Sequence, residues 1–206
     1  MSSIPYFSPK IYKLWLKIVD RDMKKQYQVI SELIGKNKRV FELGCGPAFL
    51  FSYLKKGCEY EGWDLNKRFV NDAKKRGINV KYKDIFRFEE YPKSDVIVIC
   101  DLLHHVFPKD AVLIKESRKR TKELIVVEPY KISRFSGLPY PIFYFYDKII
   151  GDNDGINHFS QRSKWNFEQA VSLEDYFKKL GARKVFKVRG IEKILAIFKG
   201  YEELQD

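Results

Sequence analysis

Four short stretches carry residue types that can hold a ligand. The first is Glu42-Leu43-Gly44-Cys45-Gly46-Pro47-Ala48, at the end of an apolar run. Glycines at such a turn permit a tight bend and let a ligand approach the backbone, whose free N–H groups face it at a helix start. A side chain added at Gly44 is therefore expected to intrude on ligand space. The second is Asp64, 22 residues after Glu42 and at the end of the next apolar run. A carboxylate there can accept both hydroxyls of a ribose, although the same residue type also serves as a turn or capping group. As a turn residue at a ligand edge, Asp64 is expected to matter little to the stability of the unliganded chain. The third is Lys83-Asp84-Ile85, in which Ile85 can cover a flat ring and Asp84 can accept from its exocyclic amine. The fourth is Cys100-Asp101-Leu102-Leu103-His104-His105-Val106, which holds two of the three histidines. An unperturbed imidazole titrates near pH ~6.5, so His105 suits either proton transfer or acceptor positioning; a His packed at a helix start is the bland alternative, and the stronger one for His104.

These stretches must be positioned by elements, and the hydrophobic pattern supplies them. Residues 11–34 have the spacing of one amphipathic helix or two, stopped by Gly35. Strands are expected at 39–43, 59–63, 78–82, 95–100 and 123–127, with helices at 49–56, 67–76 (capped by Asn66) and 109–119. Five alternations in about 95 residues argue for an open parallel sheet covered by helices on both faces. All four stretches then fall at successive strand C-termini, the edge where such sheets bind ligands. Their conjunction is far more specific than any one of them. Beyond Pro129 the pattern breaks: residues 130–164 are rich in aromatic residues, Pro, Gly and Asn without a clear period. A helix is expected at 166–180, followed by strands at 184–188 and 193–198. The joint between these two strands is too short for anything but an antiparallel hairpin.

Composition narrows the classes. The chain has 206 residues, 45% apolar and 16% aromatic, enough for a sizeable core and incompatible with a disordered chain. No apolar run approaches the roughly 20 residues that span a bilayer, and the first residues lack the layout of a secretory signal. Cys45, Cys58 and Cys100 have no close spacing, so neither a disulfide framework nor a zinc cluster is expected. A cytoplasmic protein is the expectation. The net charge is +12, with 39 Lys and Arg against 27 Asp and Glu. The lysines come in ones and twos between acids, as on a solvated surface of a heat-adapted protein; an acidic or phosphate-bearing partner is the other reading.

The stretch from Arg39 to Pro129 resembles the core of the class I S-adenosylmethionine-dependent methyltransferases. Residues 42–48 match the family's motif acidic-x-Gly-x-Gly-x-Gly, with Ala48 in the third glycine's place. That is a small departure where the position requires a small side chain more than a positive φ. Asp64 matches the ribose-binding acid, Asp84-Ile85 the adenine-contacting pair, and residues 100–106 the fourth motif in its small-molecule version. The resemblance implies a three-layer α/β/α sandwich with a seven-stranded, mostly parallel sheet whose last strand is antiparallel. It implies S-adenosylmethionine bound by Glu42, Gly44, Cys45, Gly46, Asp64, Leu65, Asp84, Ile85, Asp101 and Leu102, with His105 as the catalytic candidate and no metal. A nicotinamide dehydrogenase fits less well, because Glu42 beside the turn would repel a pyrophosphate, whereas a sulfonium and an ammonium tolerate it.

Methyl transfer needs alignment, water exclusion and, for some acceptors, a base. The expected layout is one domain: a helical lid at 1–36 with Tyr6, Tyr12 and Trp15, a cofactor half at 37–129, a substrate cap at 130–165, and a closing helix and hairpin at 166–206. Tyr140, Phe143, Tyr144, Phe145 and Tyr146 form either a hydrophobic mouth for an aromatic or lipid-like small molecule or the closure of the core. His158, with Arg162 and Lys164, is a weaker candidate for meeting an anionic acceptor. An RNA or protein methyltransferase and a non-catalytic scaffold are the competing classes. The charge favours RNA, but the Asn/Asp-Pro-Pro-aromatic motif of base methylation is replaced by Asp101-Leu102-Leu103-His104. Oligomeric state is left open, and no stable membrane insertion is expected.

Overall fold

The computed structural model describes residues 2–19, 23–130, 139–151, 153–156, 165 and 172–201. Strands β1 (Arg39–Leu43), β2 (Glu59–Asp64), β3 (Val80–Tyr82), β4 (Ser94–Cys100), β5 (Thr121–Pro129), β6 (Lys184–Lys187) and β7 (Lys193–Lys199) form one sheet in the order β3-β2-β1-β4-β5-β7-β6. The pairs among β1 to β5 are parallel, and β7 lies antiparallel to both β5 and β6. Along β4 and β5, Val96, Val98, Cys100, Ile125 and Val127 enter one core, while Ile97, Ile99, Leu124 and Val126 enter the other. Burial on both faces is why these strands read as continuous apolar runs.

Helices close both faces. They are α1 (Pro9–Val19), α2 (Met23–Ile34), α3 (Lys67–Lys75), α4 (Leu103–Val106), α5 (Asp110–Arg118), α6 (Tyr140–Ile149) and α7 (Leu173–Lys179). α2 and α3 bring Ile30, Ile34, Val70 and Ala73 to the first core; α5 and α7 bring Leu113, Ile114, Leu173 and Phe177 to the second. The α/β/α sandwich expected from the alternation is therefore present. Asn66 caps α3 as expected, its side-chain oxygen accepting from the N–H groups of Arg68 and Phe69. α7 is pinned to α5 by the Tyr176 hydroxyl donating to Asp110, and Trp165 packs edge-on against Phe107 and Tyr176.

Two expectations are corrected. The helix expected at 49–56 is only a 3-10 turn, Leu50–Tyr53. Leu54 is already extended and Gly57 has φ +83, so the chain turns toward β2 before a helical turn can propagate. The segment read as irregular at 130–164 contains α6, whose run of bulky aromatics hides the helical period. In α6 the side chain of Phe145 is exposed and those of Tyr144 and Tyr146 are partly exposed, so they do not close the core; the side chains of Tyr140 and Phe143 are outside the described residues, as are His158, Arg162 and Lys164.

Candidate active site

β1 and β4 are neighbours whose chain connections leave in opposite directions, which opens a crevice at their C-terminal ends. A cavity of about 830 Å³ lies there, between the strand ends, α1 and the turn after α6. The eleven residues expected to hold the donor or act in catalysis all line it: Glu42, Gly44, Cys45, Gly46, Asp64, Leu65, Asp84, Ile85, Asp101, Leu102 and His105.

The turn after β1 is built from backbone that few residues adopt. Gly44 and Gly46 have φ +63 and +51, and Ala48 has φ +56. The third position thus does take a positive φ, and Ala48 bears a cost of about 1–2 kcal/mol there that glycine would avoid. It is fully buried, so nothing larger would fit. A Cβ on Gly44 would stand 2.6 Å from Cδ1 of Leu102, so the space it would invade is already held by the Leu102 side chain at the cavity wall. Gly46 faces more open space, its nearest neighbour being Phe69 at 3.9 Å.

Asp64 is fastened from both sides. Its Oδ2 accepts from the Gly46 N–H at 2.7 Å and its Oδ1 from the Asn66 N–H at 2.6 Å. Each oxygen keeps a further lone-pair direction, so the carboxylate can still accept two ligand hydroxyls. Through these bonds Asp64 ties the β1 turn to the β2 turn, a structural part that the sequence did not lead one to expect. Burial pushes its carboxyl up, against the pull of those two N–H bonds. Glu42 is more extreme: buried, it accepts from the Tyr60 hydroxyl, and burial pushes its carboxyl up to about 8. Asp84 accepts from the Phe86 N–H at 2.9 Å, which fixes the turn that presents Ile85.

The β4 end is strained and braced. Asp101 has φ +52, a conformation that Asp tolerates better than most residues. Its carboxylate accepts from Lys193 Nζ at 2.6 Å and from Gln26 Nε2 at 2.9 Å. One step further, Glu128 Oε1 accepts from the N–H groups of Leu102 and Leu103 at 2.7 and 2.6 Å, and its Oε2 stands 2.7 Å from His104 Nδ1. His104 is thereby turned to a structural partner. His105, on α4 and lining the cavity, has Nδ1 3.1 Å from Asp154 Oδ2. The Asp154 carboxylate thus faces the His105 ring within ion-pair distance.

Sequence reasoning missed Gln26, Glu128, Lys193 and Asp154. Glu128 ends the apolar run of β5, which was a readable signal; Gln26 and Lys193 follow the exposed Lys25 and Glu192, and neither they nor Asp154 stand out locally.

Tyr12 packs against Phe69 and Tyr6 at ring separations of 5.1 and 5.2 Å and stacks on Phe49, so α1 roofs the cavity. Five carboxyl groups line it among the described residues: Glu42, Asp64, Asp84, Asp101 and Asp154. In a chain of net charge +12, that concentration favours a cationic ligand. Arg68 and Lys67 also line the cavity, stacked over the rings of Phe7 and Tyr82.

Comparison with known proteins finds methyltransferases among both the relatives and the solved structures. The trans-aconitate 2-methyltransferase of Mycobacterium marinum is 31% identical over 112 residues, 52% of this chain and 41% of that protein. That of Mycolicibacterium gilvum is 29% identical over 104 residues, 48% of this chain and 40% of that one. The chain spans about two fifths of the length of these curated relatives. Among solved structures, a TehB-like SAM-dependent methyltransferase from Corynebacterium glutamicum aligns over 95% of this chain and 99% of its own, with TM-score 0.58 and 15% identity. Magnesium protoporphyrin IX methyltransferase from Synechocystis, with S-adenosylhomocysteine bound, aligns over 93% and 95%, with TM-score 0.55 and 12% identity. At these identities the likeness speaks for the fold. Among the described residues, no helix is long and apolar enough to cross a membrane. Residues 24–131, more than half of the chain, match the family described as methionine biosynthesis protein MetW; this chain belongs to that family, with the fold of the class I S-adenosylmethionine-dependent methyltransferases.

Proposed function

We propose that the protein is a cytoplasmic methyltransferase that moves a methyl group from S-adenosylmethionine to a small-molecule acceptor. The observation that carries this reading is the acid-lined cavity at the sheet's crevice. The donor presents a sulfonium and an ammonium and no phosphate, which suits the acids Asp64, Asp84, Asp101 and Asp154 as a dinucleotide would not, with Glu42 giving up its proton as the cation binds. In this reading Asp64 holds the ribose hydroxyls, Asp84 and Ile85 the adenine, and the 44–46 turn with Leu65, Asp101 and Leu102 the rest of the donor. When bound, the donor supplies an electrophilic methyl group on sulfur. The chain's own contribution is orientation, exclusion of water beneath α1, and a proton acceptor. The His105 imidazole takes the acceptor's proton, with the Asp154 carboxylate 3.1 Å from the ring to favour the charge that forms.

Residues 1–36 serve as the lid, 37–129 as the donor half, 130–165 as the acceptor cap and 166–206 as the closing segment of one domain. The aromatic mouth formed by Tyr6, Phe7, Tyr12 and Phe69 favours an acceptor with a flat or apolar part. A carboxylate-bearing acceptor, as in the name of the mycobacterial relatives, is the second reading, favoured by Lys67 and Arg68 in the cavity wall.

Calorimetry of the folded protein with S-adenosylmethionine and S-adenosylhomocysteine tests the donor. Absence of heat with both would sink the assignment. Incubation of cell extract with methyl-labelled donor, followed by separation into RNA, protein and small molecules, tests the acceptor class. Label confined to RNA or protein would replace the small-molecule reading.

A further inference from the structure

The geometry points to a docking surface for an anionic lipid bilayer, formed by the outer faces of α1 and α6. Along α1, Ile11, Leu14 and Ile18 are 42, 61 and 67% exposed. At about 100° per residue they fall within an arc of roughly 60°, on a different side of the helix from Tyr12 and Leu16, which line the cavity. The apolar arc of α1 is therefore much wider than its roofing role uses. α6 repeats the device: Ile142, Phe145 and Ile149, with the same i, i+3, i+7 spacing, are 54, 61 and 52% exposed. The two helices are tied to each other at one end. The Ser3 N–H donates to the Asn153 carbonyl at 2.8 Å and the Ser3 hydroxyl to the Gly151 carbonyl at 2.7 Å, tying the segment before α1 to the turn after α6. Single exposed apolar side chains need no explanation, but matched stripes on two joined helices mark an interaction surface.

Charge selects the occupant. Lys10, Lys13 and Lys17 are exposed and occupy the arc of α1 beside its apolar stripe, while Lys148 is exposed on α6 and Lys24 and Lys25 at the start of α2. An apolar stripe bordered by lysines is the composition of a helix lying in a membrane interface. Eleven residues of helix rise only about 16 Å, too short to span a hydrocarbon core, so the contact is peripheral. A second copy fits less well, since pairing these faces would set lysine rows of two chains of net charge +12 near each other. The inference does not depend on methyl transfer.

Co-sedimentation of the intact protein with vesicles tests it. With phosphatidylcholine containing about one third phosphatidylglycerol, the protein should pellet, and with phosphatidylcholine alone it should stay largely in solution. Raising salt from 0.1 to about 0.5 M should weaken partitioning about tenfold or more, because the lysine contribution is screened. The double variant Leu14→Glu/Ile18→Glu should lose vesicle binding while keeping its melting temperature, since both side chains are already in water. Lys13→Gln/Lys17→Gln should weaken binding to anionic vesicles without touching the apolar stripe. Folded wild-type protein that ignores anionic vesicles overturns the inference. So does binding that is equal for both lipids, or a concentration-dependent dimer abolished by the Glu variants without any vesicle binding.

Discussion

Asp64 has a structural task, and the proposed function gives it a second at the ribose; the two predict two readouts. Hydrogen bonds to a charged group are worth about 1.5–3 kcal/mol, so Asp64→Ala should weaken S-adenosylmethionine binding roughly ten- to a few hundred-fold. Because Asp64 also receives the N–H groups of Gly46 and Asn66, the unliganded melting temperature should fall in the order wild type, Asn, Ala. Calorimetry beside thermal melts checks both; equal melting temperatures would mean that water replaces the carboxylate without cost. At His105, general-base contributions of about 10²–10⁴-fold set the expectation for Ala: turnover falls by that factor and donor affinity holds. Asp154→Asn should cost less turnover than His105→Ala, since it removes only the carboxylate facing the ring at 3.1 Å. Unchanged turnover in His105→Ala would leave the imidazole as packing.

Between β4 and α4, position depends on Glu128. One carboxylate at the end of β5 satisfies two backbone N–H groups and meets His104, and it is fully buried. Glu128→Ala leaves those donors without their acceptor, for a loss of about 3 kcal/mol, or roughly 6–12 °C in a chain of this size. Glu128→Gln retains an accepting oxygen and should lose less than half of that. Differential scanning calorimetry measures both, and Ala and Gln variants of equal stability would show that the N–H groups find other acceptors. The same loop carries Asp101, Leu102 and His105, so the Ala variant should also weaken donor binding although Glu128 does not line the cavity.

Across the whole molecule, burial of acids gives the unliganded protein a characteristic pH dependence. Glu42 has its carboxyl raised from an ordinary value of 4.5 to about 8 by burial, and Asp64 and Asp110 are also raised by burial. A carboxyl raised in the folded state binds a proton that the unfolded chain releases, so stability is full below the ordinary value and declines as pH rises toward 8. Asp95, lowered to about 2 chiefly by the Arg39 N–H, acts oppositely: its contribution is lost as pH falls from 3.8 toward 2. Unliganded melting temperature should therefore peak in the mildly acidic range and decline toward pH 8. Glu42→Gln, which can still accept from Tyr60, should flatten the decline. Donor affinity should rise with pH up to about 8 in the wild type, because a cationic ligand must displace the Glu42 proton, and rise less in the Gln variant. Parallel titrations of the two proteins at fixed ionic strength decide this.

Local physics was enough to read much of this protein from its residues. Continuous apolar runs announced β4 and β5, alternation and turn residues announced the rest of the sheet, and Asn66 announced the start of α3, because each signal is carried by neighbours in the chain. The acids at Glu42, Asp64, Asp84 and Asp101 were legible for the same reason: successive parallel strands deliver their ends to one edge. Backbone detail escaped. The positive φ of Ala48 and Asp101 is imposed by what surrounds those turns, and the 3-10 turn after Ala48 by how soon the chain must enter β2. The bracing of the site was decided by tertiary structure alone. Lys193 is 92 residues from Asp101 and Gln26 is 75 away, and no local pattern links them. Asp154 reaches His105 only because the turn after α6 is tied to the N-terminal segment through Ser3. The apolar stripes of α1 and α6 belong to the same class: periodicity marks them as apolar, but only the packed molecule shows which arc is used inside and which is left facing out.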